Sequence, residues 1–271
     1  MTNMLKLDIQ FFAQTKAADL INPEILADTI SAELENKIRF APFAKIDTTL
    51  EATAGDTITR PKYAYIGAAD DLTEGVPMDP AKLSMTTTQV TVKEAGKAVE
   101  VTEKAIITNV DGTMTEAGNQ ISMSLADKME IDYLATMETT LLSHDAAPTT
   151  PTAFIDAIAL FGDEDDEDYV AFINPKDYSA LAKSLIDGNT NLTRAQIADF
   201  IGVSDIVKTN RVAQGKAFVQ KRNAVEIVYK KRPNVNDDHD ILARTFVLAG
   251  NTYYVTNLYN ESGVVRIEDV V

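Results

Sequence analysis

The sequence contains no cysteine among its 271 residues, and this absence excludes several kinds of site. Without thiols the chain can form no disulfide, no thiolate metal site and no cysteine nucleophile. Histidine is also scarce, with two residues in the whole chain. Few imidazole side chains are therefore available as metal ligands or as acid–base groups near neutral pH.

Basic residues are scarce relative to acidic ones, with 25 Lys and Arg against 41 Asp and Glu and a formal net charge of −16. Nucleic-acid binding through a basic face needs clustered Lys and Arg, so this function is not expected. No apolar run reaches the roughly 18 residues of a membrane-spanning helix. The opening MLKLDIQFFA is interrupted by Asp8 and Gln10, which is not typical of a signal peptide. No membrane partner is expected, and synthesis in the cytoplasm fits this pattern.

What is present is a composition ordinary for a globular protein, with 45% hydrophobic and 24% charged residues. The length suffices for one large domain or two intertwined ones with an ample core. The order of elements described below predicts an α+β fold.

Two helices are predicted in the first half of the chain. Asn22 and Pro23 are typical of a helix start, and apolar residues then recur every four positions. Thr113 and Glu116 form a capping-box pattern before a much longer helix of about 28 residues, which ends near His144. Its apolar positions are Ile121, Leu125, Met129, Tyr133, Met137 and Leu141.

Between these helices the hydrophobic period changes from four to two, which indicates strands. The segments Gly55–Tyr65 and 89–107 alternate, with a bulge or bend predicted at Gly96. Val90 and Val92 are predicted on one face of a strand. The polar stretch Gly67–Pro80 forms the tip between the strands. Such a two-stranded ribbon is marginal in water and needs a partner surface.

The second half alternates helix and strand before it ends in strands. YVAFI is predicted to be a buried strand, and Asn174 followed by Pro175 predicts a helix start. A further helix is predicted around TRAQIADFIG, and strands are predicted from AVEIVYKK to GVVRIE.

The two histidines and one acidic run are the residues from which an active site could be built. His144 is predicted at the C-terminal end of the long helix, where an imidazole interacts with free carbonyls. His239 lies in NDDHDIL, which lacks the Gly and the distal Glu of a calcium loop, and is predicted in a solvated turn. The run Asp163–Asp168 is predicted to be a solvated acidic loop, since adjacent acids point in different directions. No catalytic constellation, cofactor motif or metal site is predicted.

Two basic clusters are too isolated for a nucleic-acid face. Lys221–Arg222 and Lys230–Arg232 are predicted to be solvated, or paired with acids of another subunit.

The order of parts resembles the major capsid protein of tailed bacteriophages, with the Hong Kong 97-type fold. The stretches that carry this resemblance are LINPEILADTISAELENKIRFAPFAKIDTTL, GDTITRPKYAYIGAADDLTEG, VAFINPKDYSAL and KKRPNVNDDHDILARTFVLAGNTYYVTNLY, together with the opening LKLDIQFFA. They are similar to coat proteins of phages that infect Gram-positive bacteria. The resemblance implies an N-terminal arm with a short helix (1–43), an extended β-hairpin loop with adjoining strands (44–107), the spine helix of a peripheral domain (108–150), an α/β axial domain (151–222) and closing strands shared between the two domains (223–271).

The resemblance also implies function and partners. Many copies would form hexamers and pentamers of an icosahedral shell that encloses double-stranded DNA, with a portal protein and a decoration protein as further partners. A separate scaffolding protein is expected because the arm helix begins near Asn22. The protein would be part of the virion after assembly in the cytoplasm of the host bacterium. The loop would contact a neighbouring subunit through Arg60, Lys62, Tyr63, Tyr65, Asp70, Asp71 and Glu74.

Some members of this family crosslink a loop lysine to a distant asparagine. Lys62 and Lys82 flank the loop tip, and Asn234, Asn236 and Asn257 lie near the end of the chain, but no local motif matches, so no crosslink is predicted. Two other functions stay open. One is an encapsulin, a cellular cage that encloses an enzyme, which the phage-like opening disfavours. The other is a metal-dependent enzyme that uses Asp163–Asp168 and His239.

Overall fold

The computed structural model describes residues 37–51, 54–63, 66–69, 71, 77–78, 80–108, 112–163, 167–185 and 192–269. The predicted arm helix after Asn22 lies outside these residues. A short 3-10 turn covers Ala41–Phe43. The helices are α1 Glu103–Thr108, α2 Thr113–Glu138, α3 Pro151–Ala159, α4 Pro175–Leu185 and α5 Arg194–Ile201. The strands are β1 Lys45–Asp47, β2 Thr57–Tyr63, β3 Met85–Thr91, β4 Lys93–Thr102, β5 Leu142–Asp145, β6 Tyr169–Ile173, β7 Asp205–Lys208, β8 Lys216–Lys221, β9 Val225–Asp240, β10 Thr245–Leu258 and β11 Val264–Glu268.

The long helix α2 has 26 residues, or about 39 Å at the usual rise per residue. Its predicted apolar stripe is confirmed from Ile121 to Met137, because every fourth side chain in this range is at most 2% exposed. The start differs from the prediction. Gly112, in the left-handed conformation, is the N-cap residue, and Thr113 is already the first helical residue.

The predicted end of α2 near His144 is wrong. The helix ends at Glu138, where the Thr139 hydroxyl donates to the carbonyl of Thr136 at 2.6 Å. The Thr140 hydroxyl then donates to the carbonyl of Val264 at 2.5 Å and directs the chain into β5. His144 is consequently a strand residue in β5, and Leu141 is exposed.

A five-stranded sheet with the order β5-β11-β8-β6-β7 forms the centre of the second half. All five residues of β6 are buried, as predicted for YVAFI. Val170 and Phe172 pack with α2 on one face of this sheet, while Ala171 and Ile173 pack with the helices α3, α4 and α5 on the other. A strand covered on both faces needs apolar residues at every position, which explains the unbroken run.

A four-stranded sheet with the order β1-β9-β10-β4 packs against α2. Its long hairpin β9–β10 requires glycine at position 250, because a Cβ atom there would lie 2.5 Å from Cγ2 of Ile121 on α2. The predicted bulge at Gly96 is wrong. Gly96 pairs with Asn251 in an unbroken β4–β10 ladder, and the irregularity lies between Asn251 and Tyr254 in the β9–β10 ladder.

Strands β2 and β3 form a two-stranded antiparallel sheet of their own. The strand predicted through Val92 is interrupted there, since β3 ends at Thr91 and β4 begins at Lys93 in a different sheet. Among the described strands β2 has a ladder partner on one side only, and this edge position explains why Pro61 is tolerated there.

Both helix starts predicted in the second half are confirmed. The Asn174 carboxamide oxygen accepts a hydrogen bond from the Lys176 amide at 3.0 Å, and α4 begins at Pro175. Thr193 and Gln196 form a capping box at the start of α5. His239, by contrast, does not lie in a turn. It belongs to β9, pairs with Phe246 of β10 and stacks on that ring with centroids 4.2 Å apart.

Candidate functional site

The candidate site is the base of the two-stranded loop, where β2 lies against the rest of the chain. Alternation along β2 turns Ile58, Arg60 and Lys62 inward, and leaves Thr57, Thr59, Pro61 and Tyr63 exposed. Tyr63 is 61% exposed. The inward face therefore carries two cations towards the body of the protein.

Arg60 occupies a cluster of acids contributed by two strands of the four-stranded sheet. Its Nε and Nη2 atoms contact the two carboxylate oxygens of Glu226 at 3.2 and 3.0 Å, a bidentate arrangement. The Nη2 atom also pairs with Asp47 of β1. The Asn257 side-chain amide donates to Glu226 at 3.0 Å from β10. Glu226 is completely buried, so its charge depends on these partners.

The electrostatics of this cluster follow from its hydrogen bonds. Burial works to raise the pKa of Asp47, but hydrogen bonds from Thr49 and the Arg60 guanidinium outweigh it and lower that pKa to about 2. Burial likewise works to lower the pKa of Arg60, and the two carboxylates raise it instead. The charged forms of Asp47 and Arg60 are thus both favoured in the folded chain.

Lys62 pairs with Glu261 at the rim of an open cleft of about 560 Å³ between the loop and the body. On the cleft wall, Asp132 of α2 accepts hydrogen bonds from the Tyr254 hydroxyl at 2.5 Å and pairs with Lys93 at 2.8 Å. Despite burial, these donors lower the pKa of Asp132. Burial and the adjacent carboxylate raise the pKa of Tyr254. The wall is therefore built from satisfied polar pairs.

The structure brings together only some of the residues predicted to contact a neighbour. Arg60 and Lys62 lie on the inward face and have counter-ions within their own chain. Tyr63 lies on the outward face, and Asp71 is exposed at the tip. Tyr65, Asp70 and Glu74 lie outside the described residues. Sequence reasoning missed Glu226, which is 166 positions from Arg60. The alternation with Ile58 is the signal that could have placed Arg60 on the inward face.

The described residues of the possible metal-dependent enzyme are engaged in other contacts, while 164–166 lie outside the described ranges. Asp163 accepts hydrogen bonds from the Tyr169 hydroxyl at 2.7 Å and from Lys221 at 2.5 Å. His239 stacks on Phe246 in a different sheet. In the ranges that the structure describes, no three His, Asp or Glu residues are arranged to hold a metal ion. Nor does any helix in these ranges have the length and apolar character to cross a membrane.

Both basic clusters have partners within their own chain, and Arg222 and Arg232 are also exposed to solvent, as predicted. Besides Asp163, Lys221 contacts Glu167 at 3.4 Å, and Arg222 contacts Asp168 at 3.3 Å. The second cluster packs beside the chain that leads into β2. There Lys230 donates to the carbonyl of Gly55, Lys231 donates to Asn251 at 2.9 Å, and Arg232 pairs with Glu51 at 3.0 Å.

Comparison with known proteins identifies the family. The model of a family described as phage capsid protein matches residues 84–267. A major capsid protein of Staphylococcus phage phiMR11 is 33% identical over 263 residues, which cover 93% of this chain and 95% of that protein. This chain belongs to the phage capsid protein family. It is therefore a structural protein of the virion, and the resemblance noted in the sequence is confirmed.

Solved structures with the same fold include the capsid of the cyanophage P-SCSP1u, with 13% identity, a TM-score of 0.66 and coverage of 84% of this chain and 87% of that chain. The capsid of Ralstonia phage GP4 has 11% identity, a TM-score of 0.66 and coverage of 98% and 97%. A virus-like particle from Pyrococcus furiosus has 12% identity, a TM-score of 0.66 and coverage of 90% and 98%. These likenesses confirm the α+β, Hong Kong 97-type capsid fold. Since they include a virus-like particle, the fold alone does not separate a phage capsid from another cage, whereas the family match and the 33% identical relative do.

Proposed function

We propose that this capsid protein is the major subunit that assembles into the icosahedral shell around the double-stranded DNA of a tailed phage, as hexamers and pentamers. The observation that carries the proposal is the exposure of large apolar side chains on and beside the two-stranded loop. Five of them are at least half exposed in the single chain: Tyr63, Ile66, Met78, Leu83 and Met85. Large apolar side chains exposed in this number on one element are typical of a protein–protein contact.

The neighbouring subunit is the partner that best fits this surface. Shells of identical subunits use one patch to contact a different patch on the next copy, so each loop can be covered by the next subunit. In this proposal Tyr63, Tyr65, Asp70, Asp71 and Glu74 contact the neighbour, while Arg60 and Lys62 lie at the base of the loop and pair with acids of their own chain.

The proposal also includes the division of the chain into segments and its partners other than itself. The division into arm (1–43), loop (44–107), spine helix (108–150), axial domain (151–222) and closing strands (223–271) is retained, with β9 and β10 in one sheet and β11 in the other as support. A separate scaffolding protein, a portal protein and a decoration protein are the expected partners, and assembly takes place in the host cytoplasm. The protein has no enzymatic activity. The net charge of −16 suits a container that must not trap DNA on its wall.

Sedimentation and negative-stain imaging test this proposal. The chain is expressed with and without the proposed scaffolding protein of the same phage, and the lysate is separated on a density gradient. Closed particles of uniform size are expected in the co-expression sample. A stable monomer across all salt and protein concentrations would contradict the proposed function.

A further inference from the structure

The loop is connected to the body mainly by side chains, because β2 and β3 form a ladder only with each other among the described strands. One backbone bond, from the Val92 amide to the carbonyl of Asp56 at 2.8 Å, ties the two ends of the loop together. A two-stranded ribbon joined in this way can swing as a unit unless side chains fix it.

Glu226 provides a fixed point for such a side chain. It is fully buried in the middle of the four-stranded sheet, where β1 flanks it on one side and β10 on the other. Removing a carboxylate from water is costly unless a cation and hydrogen bonds compensate. In the described part of the chain, the cation paired with Glu226 is Arg60, which belongs to the loop.

The geometry of the Arg60–Glu226 pair fixes the orientation of the guanidinium as well as its distance from the carboxylate. A guanidinium bound through two of its nitrogen atoms to both oxygens of one carboxylate is fixed in its plane. The second carboxylate, from Asp47 on β1, contacts the Nη2 atom that also contacts Glu226. Against the effect of burial, hydrogen bonds from Thr49 and then the contact with Arg60 lower the pKa of Asp47.

We propose that Arg60 is a positioning residue, whose pairing with Glu226 and Asp47 fixes the direction in which the loop leaves the body. This inference rests on the proposed function, in which the loop contacts a neighbouring subunit. A loop held in its binding orientation loses less conformational freedom when it meets the neighbour, which strengthens a repeated contact. Arg60 then serves assembly without touching the neighbour.

Lys62 provides a matched control on the same strand and face. It also pairs with an acid of the body, Glu261, but the Glu261 side chain is 61% exposed. Exposed pairs are screened by water and contribute little. Substituting Lys62 should therefore leave the loop direction unchanged, whereas substituting Arg60 should not.

The absence of cysteine allows a direct measurement of loop direction. Spin labels are attached to Met85→Cys on the loop and Ala135→Cys on α2, both exposed, and their distance distribution is measured by pulsed electron paramagnetic resonance on the unassembled subunit. A narrow distance distribution is expected for the labelled chain that keeps both Arg60 and Lys62, and also for the Lys62→Met variant. With Arg60→Met the distribution should become at least about twice as wide, as expected for a released two-stranded ribbon. A narrow distribution with Arg60→Met, or a broad one with Arg60 present, would overturn the proposal.

A second variant separates positioning from folding. Arg60→Met combined with Glu226→Gln removes the buried unpaired charge, so its melting temperature should return towards that of the unchanged chain. The loop distribution should nevertheless stay broad, and the yield of closed shells should fall about tenfold, equivalent to about 1.4 kcal/mol. A narrow distribution in this double variant, or a normal shell yield, would overturn the proposal and leave the shell function intact. Failure of the unchanged chain to form shells would instead contradict the proposed function, while the spin-label distances would still decide the role of Arg60.

Discussion

At the scale of residues, two buried acids, Glu130 and Glu226, are paired with cations from distant segments. Glu130 on α2 is almost fully buried, accepts a hydrogen bond from the Arg39 amide at 2.9 Å and pairs with Arg211. Glu226 is matched by Arg60 in the same way. Breaking such a pair leaves a buried charge and costs about 3–5 kcal/mol, whereas exposed pairs contribute little. These few residues therefore join the segment before β1, the long helix and the loop.

Asp47 gives a prediction about pH. Its pKa is lower in the folded chain, about 2, than the ordinary 3.8, so folding favours the charged carboxylate. The stabilisation is complete at neutral pH and is lost as the pH falls from about 4 through about 2. Asp47→Asn should lower the free energy of unfolding by about 2 kcal/mol at pH 7, and this difference should shrink below pH 4. Denaturant titrations at a series of pH values measure it.

The control for this prediction is Asp199→Asn, at an exposed position of α5. Its effect should stay within about 0.5 kcal/mol at every pH. A loss for Asp47→Asn that is the same at pH 7 and pH 3 would contradict the assignment, because it would not depend on ionisation.

The acidic run gives a second prediction at this scale. The sequence alone predicts that replacing Asp163–Asp168 with Ser and Asn leaves the melting temperature unchanged or slightly higher. The contacts of Asp163 with Tyr169 and Lys221 change this expectation. Asp163→Asn should cost about 1 kcal/mol, or a few degrees in melting temperature, and replacing 164–166 alone should cost less. Scanning calorimetry compares the melting temperatures of these two variants. If calcium restored a melting temperature that a substitution had lowered, the run would instead be a metal site.

At the scale of elements, the contact between α2 and the β9–β10 hairpin depends on glycine. A Cβ atom at position 250 would lie 2.5 Å from Cγ2 of Ile121 and 3.1 Å from Cδ1 of Leu125, and both side chains are buried. Gly250→Ala should therefore destabilise the chain by about 1–3 kcal/mol through overpacking. Thermal unfolding measures the loss, with Ala249→Ser at the exposed adjacent position as the control. Equal melting temperatures for the two variants would contradict the close packing.

Elements were predictable from sequence where local patterns decide them. Apolar residues at every fourth position predicted α2 and its buried face, because a helix buried on one face repeats its apolar residues with the helical period. The unbroken apolar run YVAFI predicted β6, because a strand buried on both faces is apolar at every position. The end of α2 was not predictable, since it depends on the Thr140 hydroxyl and the carbonyl of Val264, 124 positions away. The pairing of Glu226 with Arg60 was not predictable for the same reason, since the two residues are 166 positions apart. A period of two shows which way Arg60 points, but no local pattern shows which acid it meets.

At the scale of the whole molecule, the loop tip should be separable from the core. The two hydrophobic clusters of the described residues are built from α2, the two larger sheets and the helices α3, α4 and α5. Deleting Gly67–Pro80 and joining β2 to β3 by a short turn should leave the melting curve nearly unchanged, but should strongly reduce the yield of shells. Circular dichroism and particle counts on the same preparation check both expectations. An unfolded variant would show that the tip packs within its own subunit.

In the proposed shell, the loop of each subunit is covered by the next subunit. A cryo-electron microscopy reconstruction of particles assembled from the unchanged chain tests this claim most directly. The predicted result is an icosahedral shell of hexamers and pentamers in which residues 67–80, with Tyr63 and Met85, lie on an adjacent copy, while Arg60 contacts Glu226 of its own chain. Density that places the loop tip against its own subunit, or particles without a closed lattice, would contradict the account.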